Sequence, residues 1–102
     1  MNDLETLWRE HQEADFPPRC RGREIGGIEL VMLDADIAAC VDRFISGQLD
    51  LQYAAILGRC YRDVSLVVPQ LRDPEEQLYF GRLERLAAAV LEALSFVRPR
   101  QN

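Results

Sequence analysis

The sequence predicts an all-α fold, a small antiparallel bundle-like domain of about four helices. Two long amphipathic stretches carry the prediction, because apolar residues recur at spacings of three and four in residues 51–71 and again in residues 75–97. The chain has 102 residues, the length of one domain, and no linker or low-complexity tract divides it. We therefore expect one helical domain spanning residues 1–102.

The first helix is predicted from Asn2 to about Ala14. Asn2 is a helix-capping residue type, and Glu5 three positions later completes the pattern of a capping box. The apolar face of this segment is short, so the helix needs to dock Trp8 on the rest of the protein to be stable. His11, the only histidine, is expected on the same face as Trp8.

An irregular loop is predicted for residues 17–27, which contain two prolines, three glycines and three arginines. The proline pair ends the first helix, since proline cannot donate the backbone hydrogen bond that a helix interior requires. This loop is also the only locally basic part of the sequence, and Cys20 lies within it between Arg19 and Arg21.

A helix from about residue 28 to residue 46 is favoured, because the apolar positions of this segment keep one helical phase. The apolar run at 28–33 is also compatible with a short buried strand, whose backbone groups would need a partner, for instance from another chain. Asp34 and Asp36 offer a later helix start inside the segment. Gly47 is suited to ending the helix.

The third and fourth helices have clear start signals. Asp50 is expected to cap the third helix, and Pro69 to distort its last turn. Asp73 is expected to cap the fourth helix, with Pro74 in the first helical position, where a missing N–H costs nothing. Pro99 is expected to end it.

Composition bears on the kind of partner and on the compartment. Seventeen carboxylates against twelve cations give a net charge of −5, so a phosphate backbone is repelled and no nucleic-acid partner is expected. The sequence has no apolar run near 18 residues and no apolar leader, so we expect neither membrane insertion nor secretion. The sequence has an odd number of cysteines, Cys20, Cys40 and Cys60, which is typical of reduced thiols in the cytoplasm.

No constellation of residues commits the chain to a chemistry. A single histidine excludes sites that need two, and Asp34-Ala35-Asp36 begins like a calcium loop but lacks the glycine and the closing glutamate. We therefore expect no metal and no cofactor. The one candidate reactive thiol is Cys20, because positive neighbours lower a thiol pKa. A redox switch or enzyme centred on Cys20 is the alternative function.

Apolar residues remain after the core stripes are assigned. Leu66, Leu78 and Phe96 fall on outward-facing lines of the third and fourth helices. The cations near these lines are Arg59, Arg62, Arg82 and Arg85. Arginine beside apolar and aromatic residues is typical of interface centres. The sequence therefore predicts a protein–protein interaction module without catalytic activity, either a homodimer or the binder of another protein. A basic protein is the specific alternative partner, because the chain is acidic overall.

Overall fold

The structure, a computed structural model, describes the backbone of residues 3–97 and the side chains of residues 3–95. Within that range the chain forms four α-helices and one two-stranded hairpin, which confirms the predicted all-α, bundle-like fold. The helices are α1 (Asp3–Glu13), α2 (Leu30–Ile45), α3 (Leu51–Val67) and α4 (Pro74–Val97). The strands are β1 (Glu24–Ile25) and β2 (Ile28–Glu29).

The start signals of α3 and α4 act as the sequence predicts. The Asp50 carboxylate accepts a hydrogen bond of 3.0 Å from the backbone N–H of Tyr53. The Asp73 carboxylate accepts from the N–H groups of Glu75 and Glu76, both at 3.1 Å. These bonds satisfy donors that the first turn of a helix leaves free. The predicted cap of α1, Asn2, lies outside the described residues.

Residues 28 and 29 are not helical, which corrects the favoured helix start at residue 28. They pair with β1 in an antiparallel hairpin that places Ile25 opposite Ile28. Gly26 and Gly27 form the turn with φ of +58° and +83°, the backbone conformation that a two-residue hairpin loop requires. The strand therefore finds its partner within the chain and needs no second molecule.

The hairpin also determines where α2 begins. The Glu29 carboxylate accepts hydrogen bonds from the N–H groups of Val31 and Met32, at 3.2 and 3.1 Å. Glu29 therefore caps α2, and the later starts suggested by Asp34 and Asp36 are wrong. At the other end of the helix, Gly47 adopts a φ of +75° and allows the chain to turn toward α3, as expected.

Helix α4 is central, because it contacts each of the other three helices. Phe80 on its inward side has no exposed surface. Truncating a buried aromatic ring of this kind costs about 3–5 kcal/mol. Helices α2 and α3 pack against each other as well as against α4, and a 3₁₀ turn at Val68–Gln70, which contains Pro69, joins α3 to the segment before α4.

Candidate functional site

A buried polar cluster joins three helices at one carboxylate. The imidazole Nε2 of His11 on α1 lies 3.0 Å from Oδ1 of Asp34 on α2. The hydroxyl of Tyr79 on α4 donates a hydrogen bond of 3.0 Å to the same oxygen. His11 and Tyr79 are buried and Asp34 is half-buried. One carboxylate oxygen therefore ties α1 and α4 to α2.

The surroundings of this cluster are aromatic. The ring of Trp8 stacks on that of His11 with centroids 6.1 Å apart, and Phe16 meets Tyr79 edge-on at 5.5 Å. Burial raises the pKa of the Tyr79 hydroxyl, and the charge of Asp34 raises it further. Tyr79 therefore stays protonated and acts as a hydrogen-bond donor.

The cluster resembles the histidine–carboxylate pair of a general base, but the second imidazole nitrogen of His11 is not accessible to a substrate. Nδ1 of His11 is buried and has no hydrogen-bond partner among the described residues. A general base must reach the proton that it abstracts. Because Nδ1 of His11 is buried, a substrate does not reach it in this arrangement, and the geometry supports a structural role in joining helices.

Cys20 does not have the environment that its arginine neighbours predict. The thiol is fully buried, in a 3₁₀ turn at Pro18–Cys20. Burial raises the pKa of the Cys20 thiol, and the nearby Glu76 carboxylate raises it further, while Arg23 opposes them. Arg19 and Arg21 are exposed. The predicted lowering of this pKa is therefore wrong, because burial and a carboxylate outweigh the cations.

The same carboxylate ties the loop to α4. Arg23 donates a hydrogen bond of 3.1 Å to Glu76, which is buried in the first turn of α4. The segment 17–27, predicted to be an irregular loop, therefore has ordered contacts and contains β1. Cys40 and Cys60 are buried in the core as expected, and burial raises the pKa of Cys60 to about 11.

The apolar residues predicted to face outward are exposed where the structure describes them. Leu66 is 61% exposed and Leu78 is 62% exposed. The side chain of Phe96 lies outside the described residues. Arg59 and Arg62 are exposed, as the interface prediction requires. Arg82 is buried, and its guanidinium lies 5.7 Å from the centre of the Tyr79 ring. The prediction that Arg82 lies beside an interface is therefore wrong.

Three further exposed apolar side chains were not identified from the sequence. Met32 at the start of α2 is 55% exposed, and Leu51 at the start of α3 is 89% exposed. Ile45 at the end of α2 is also exposed. Met32 belongs to the apolar run 28–33, and only the observed start of α2 reveals that its side chain points away from the core.

A groove of about 210 Å³ lies between α2 and α3. Its floor includes Leu33 and Cys60, and the hairpin turn closes one end. Its rim carries Met32, Asp36, Arg59 and Asp63. Among the described residues, none of the three charged groups on this rim has a hydrogen bond or ion pair. The groove therefore presents both signs of charge to solvent.

Helical spacing extends this surface along α3. Arg62 and Leu66 are three and seven residues beyond Arg59, on the same side of the helix. We define the α2–α3 face as Met32, Asp36, Arg59, Arg62, Asp63 and Leu66. Two other grooves lie between α1 and α4 and beside the start of α4, and the exposed Met32 and Leu66 border neither of them.

Comparison with protein families, curated proteins and solved structures found no match to this chain. In the described part of the chain, no helix is long and apolar enough to cross a membrane. Residues 3–95 also contain no group of three or more histidine, cysteine or acidic side chains arranged to hold a metal ion.

Proposed function

We propose that the protein is a cytoplasmic protein–protein interaction module that self-associates and has no catalytic activity of its own. The observation that carries this proposal is the exposure of Leu66 and Leu78, at 61% and 62%, on helices whose inward faces are already filled. Burying one leucine side chain contributes roughly 1.5–3 kcal/mol, so these residues favour a partner that removes them from water.

A second copy is the partner that uses each side chain twice. In a two-fold contact the same patch lies on both subunits, and every favourable pair occurs in duplicate. A Kd of tens of micromolar needs roughly 7 kcal/mol after the entropy of association has been subtracted. Burying Leu66 and Leu78 in both copies contributes roughly 6–12 kcal/mol before that entropy is subtracted, so further contacts around the two leucines must supply the remainder.

The alternative function, a thiol switch or enzyme centred on Cys20, gains no support from the site. Its thiol is buried with a raised pKa, whereas reactive cysteines are accessible and have lowered pKa values. Nucleic-acid binding gains none either, because Arg23 of the basic loop is paired with Glu76 and the net charge is −5. The cytoplasmic location rests on the cysteine pattern of the sequence.

Sedimentation equilibrium of the purified chain tests the proposal. We expect a concentration-dependent rise in mass from 11.7 kDa toward twice that value at tens of micromolar. A mass of 11.7 kDa at every concentration up to about 100 µM, where a contact weaker than roughly 5.5 kcal/mol would go undetected, would contradict self-association.

A further inference from the structure

We propose that the α2–α3 face joins two copies of this chain across a two-fold axis, with Arg62 of each copy paired to Asp63 of the other. The proposal rests on the proposed self-association and deepens it by naming the surface and the contacts. Its starting point is that the face carries exposed apolar side chains and, within a few residues, charges of both signs that have no ion-pair partner in the part of the chain that the structure describes.

The spacing of residues on α3 determines which side chains meet. Arg59, Arg62, Asp63 and Leu66 lie on one side of the helix. When two copies of α3 pack antiparallel about an axis between residues 62 and 63, residue 62 lies opposite residue 63 of the second copy. The same axis places residue 59 opposite residue 66. Each contact then occurs twice, as an isologous interface requires.

Each of these contacts is chemically favourable. The Arg62 guanidinium meets a carboxylate, a pair with good hydrogen-bonding geometry. Leu66 meets the aliphatic part of the Arg59 side chain, which covers apolar surface while its charged end stays in water. The groove beside α3 adds Asp36 as a second carboxylate and Met32 as an apolar rim for the incoming arginine.

The mixture of charges favours a second copy over another class of partner. A strongly basic protein would be repelled by Arg59 and Arg62, and a strongly acidic one by Asp36 and Asp63. A surface that carries both signs in this order complements itself once it is turned through 180°. Electrostatic complementarity of this kind selects the partner and fixes the register of the contact.

Reversing the charge at each position tests the pairing. In Arg62→Glu, residue 62 faces Asp63 of the second copy, and in Asp63→Arg, residue 63 faces Arg62. Because like charges then meet twice, we expect each variant alone to associate at least about tenfold more weakly than the wild type. Mixing the two variants restores opposite charges at both contacts, so we expect a one-to-one heterodimer near the wild-type affinity.

Arg72→Glu is the matched control, because Arg72 is an exposed arginine outside the face. It makes the same charge change and should leave the dimer intact. Circular dichroism of each variant checks that helicity is retained. A measurement that needs no variant is salt dependence: raising NaCl from about 50 to 500 mM should weaken the wild-type dimer several-fold by screening the pairs.

The outcomes separate this inference from the proposed function. If the wild type forms a dimer and neither charge reversal weakens it, the pairing is overturned while self-association stands. The same holds if mixing the two variants does not restore a dimer. A dimer whose affinity does not fall with salt overturns it as well. A wild-type chain that stays monomeric overturns both.

Discussion

Tyr79 and Asp34 are 45 residues apart in the sequence and are joined by a hydrogen bond of 3.0 Å between hydroxyl and carboxylate. The bond links α4 to α2, and His11 of α1 lies 3.0 Å from the same oxygen. Three of the four helices in the described part of the chain therefore meet at one side chain. We therefore expect the loss of the Asp34 carboxylate to disturb the packing of all three helices.

We expect Asp34→Ala to destabilise the protein more than Tyr79→Phe. Removing the tyrosine hydroxyl deletes one bond and costs about 1–2 kcal/mol of unfolding free energy. Removing the carboxylate leaves the buried His11 and Tyr79 donors without their acceptor, which costs about 2–5 kcal/mol. Urea denaturation measures both. Tyr61→Phe is the control, because no hydrogen bond involves the Tyr61 hydroxyl within the described residues. Equal losses of unfolding free energy for Asp34→Ala and Tyr79→Phe would contradict the shared role of Asp34.

The three cysteines should all resist a thiol reagent in the native protein. Cys20, Cys40 and Cys60 are buried, and burial raises the pKa of each thiol. For Cys20 this differs from the sequence-based expectation of a reactive thiol with a lowered pKa. Alkylation at neutral pH followed by peptide mapping is the measurement, and rapid labelling of Cys20 without unfolding would show that the loop opens.

Removing the charge of Glu76 should increase the reactivity of Cys20 in particular. In Glu76→Gln the carboxylate that raises the Cys20 pKa is gone, and Arg23 loses the partner that ties the loop to α4. The first change favours ionisation of the Cys20 thiol, and the second favours opening of the loop that buries it. We expect faster alkylation of Cys20 than in the wild type, with Cys40 still protected. Glu75→Gln changes an exposed neighbour and serves as the control. Unchanged labelling in Glu76→Gln would mean that the loop stays closed without the ion pair.

Stability should fall at alkaline pH partly through Cys60. Its pKa is 9.0 in the ordinary thiol and about 11 in the folded protein, because of burial first and of Asp36 next. The folded state holds the proton in this interval and the unfolded chain does not. The stabilisation is therefore complete below pH 9 and is lost as the pH rises to 11. A difference of two pKa units between the folded and unfolded states corresponds to roughly 3 kcal/mol of unfolding free energy.

Comparing the wild type with Cys60→Ala isolates this contribution. The substitution itself costs stability at every pH by leaving a cavity. The other titrating groups are common to both proteins and cancel in the difference. We expect the stability gap between the two proteins to narrow as the pH rises from 8 to 10.5. Parallel pH profiles from urea denaturation would show that the pKa of Cys60 is the same in the folded and the unfolded chain, which would contradict this prediction.

The sequence predicts those features that are local. Asp50 and Asp73 cap helices because the capping interaction spans only two or three residues. The hairpin at residues 24–29 was missed because two-residue strands are too short to show a period. The adjacent Gly26 and Gly27 were the signal that could have identified its turn.

The candidate site depends on contacts that no local pattern encodes. His11 and Asp34 are 23 residues apart, and only the packing of α1 against its neighbours brings them together. The same is true of Cys20, whose charged sequence neighbours point to solvent while Glu76, distant in sequence, approaches the thiol. Sequence neighbours therefore predicted the wrong sign for its pKa shift.

Replacing Leu66 by aspartate should weaken self-association without unfolding the chain. The side chain is 61% exposed, so the substitution removes little from the core and helicity should be retained. In a two-fold contact the loss is counted twice, and a buried carboxylate without a partner adds a desolvation cost. We expect the Kd from sedimentation equilibrium to rise by at least about tenfold, which corresponds to 1.4 kcal/mol.

Leu51→Asp is the matched control for this prediction. Leu51 is also an exposed leucine on α3, at 89%, but it lies about two helical turns before Arg59. Aspartate in the first turn of a helix is compatible with the helix dipole, so this variant should fold and associate as the wild type does. If Leu51→Asp weakens the dimer and Leu66→Asp does not, the contact lies at the α2–α3 turn, because that end of α3 would then be the part removed from water.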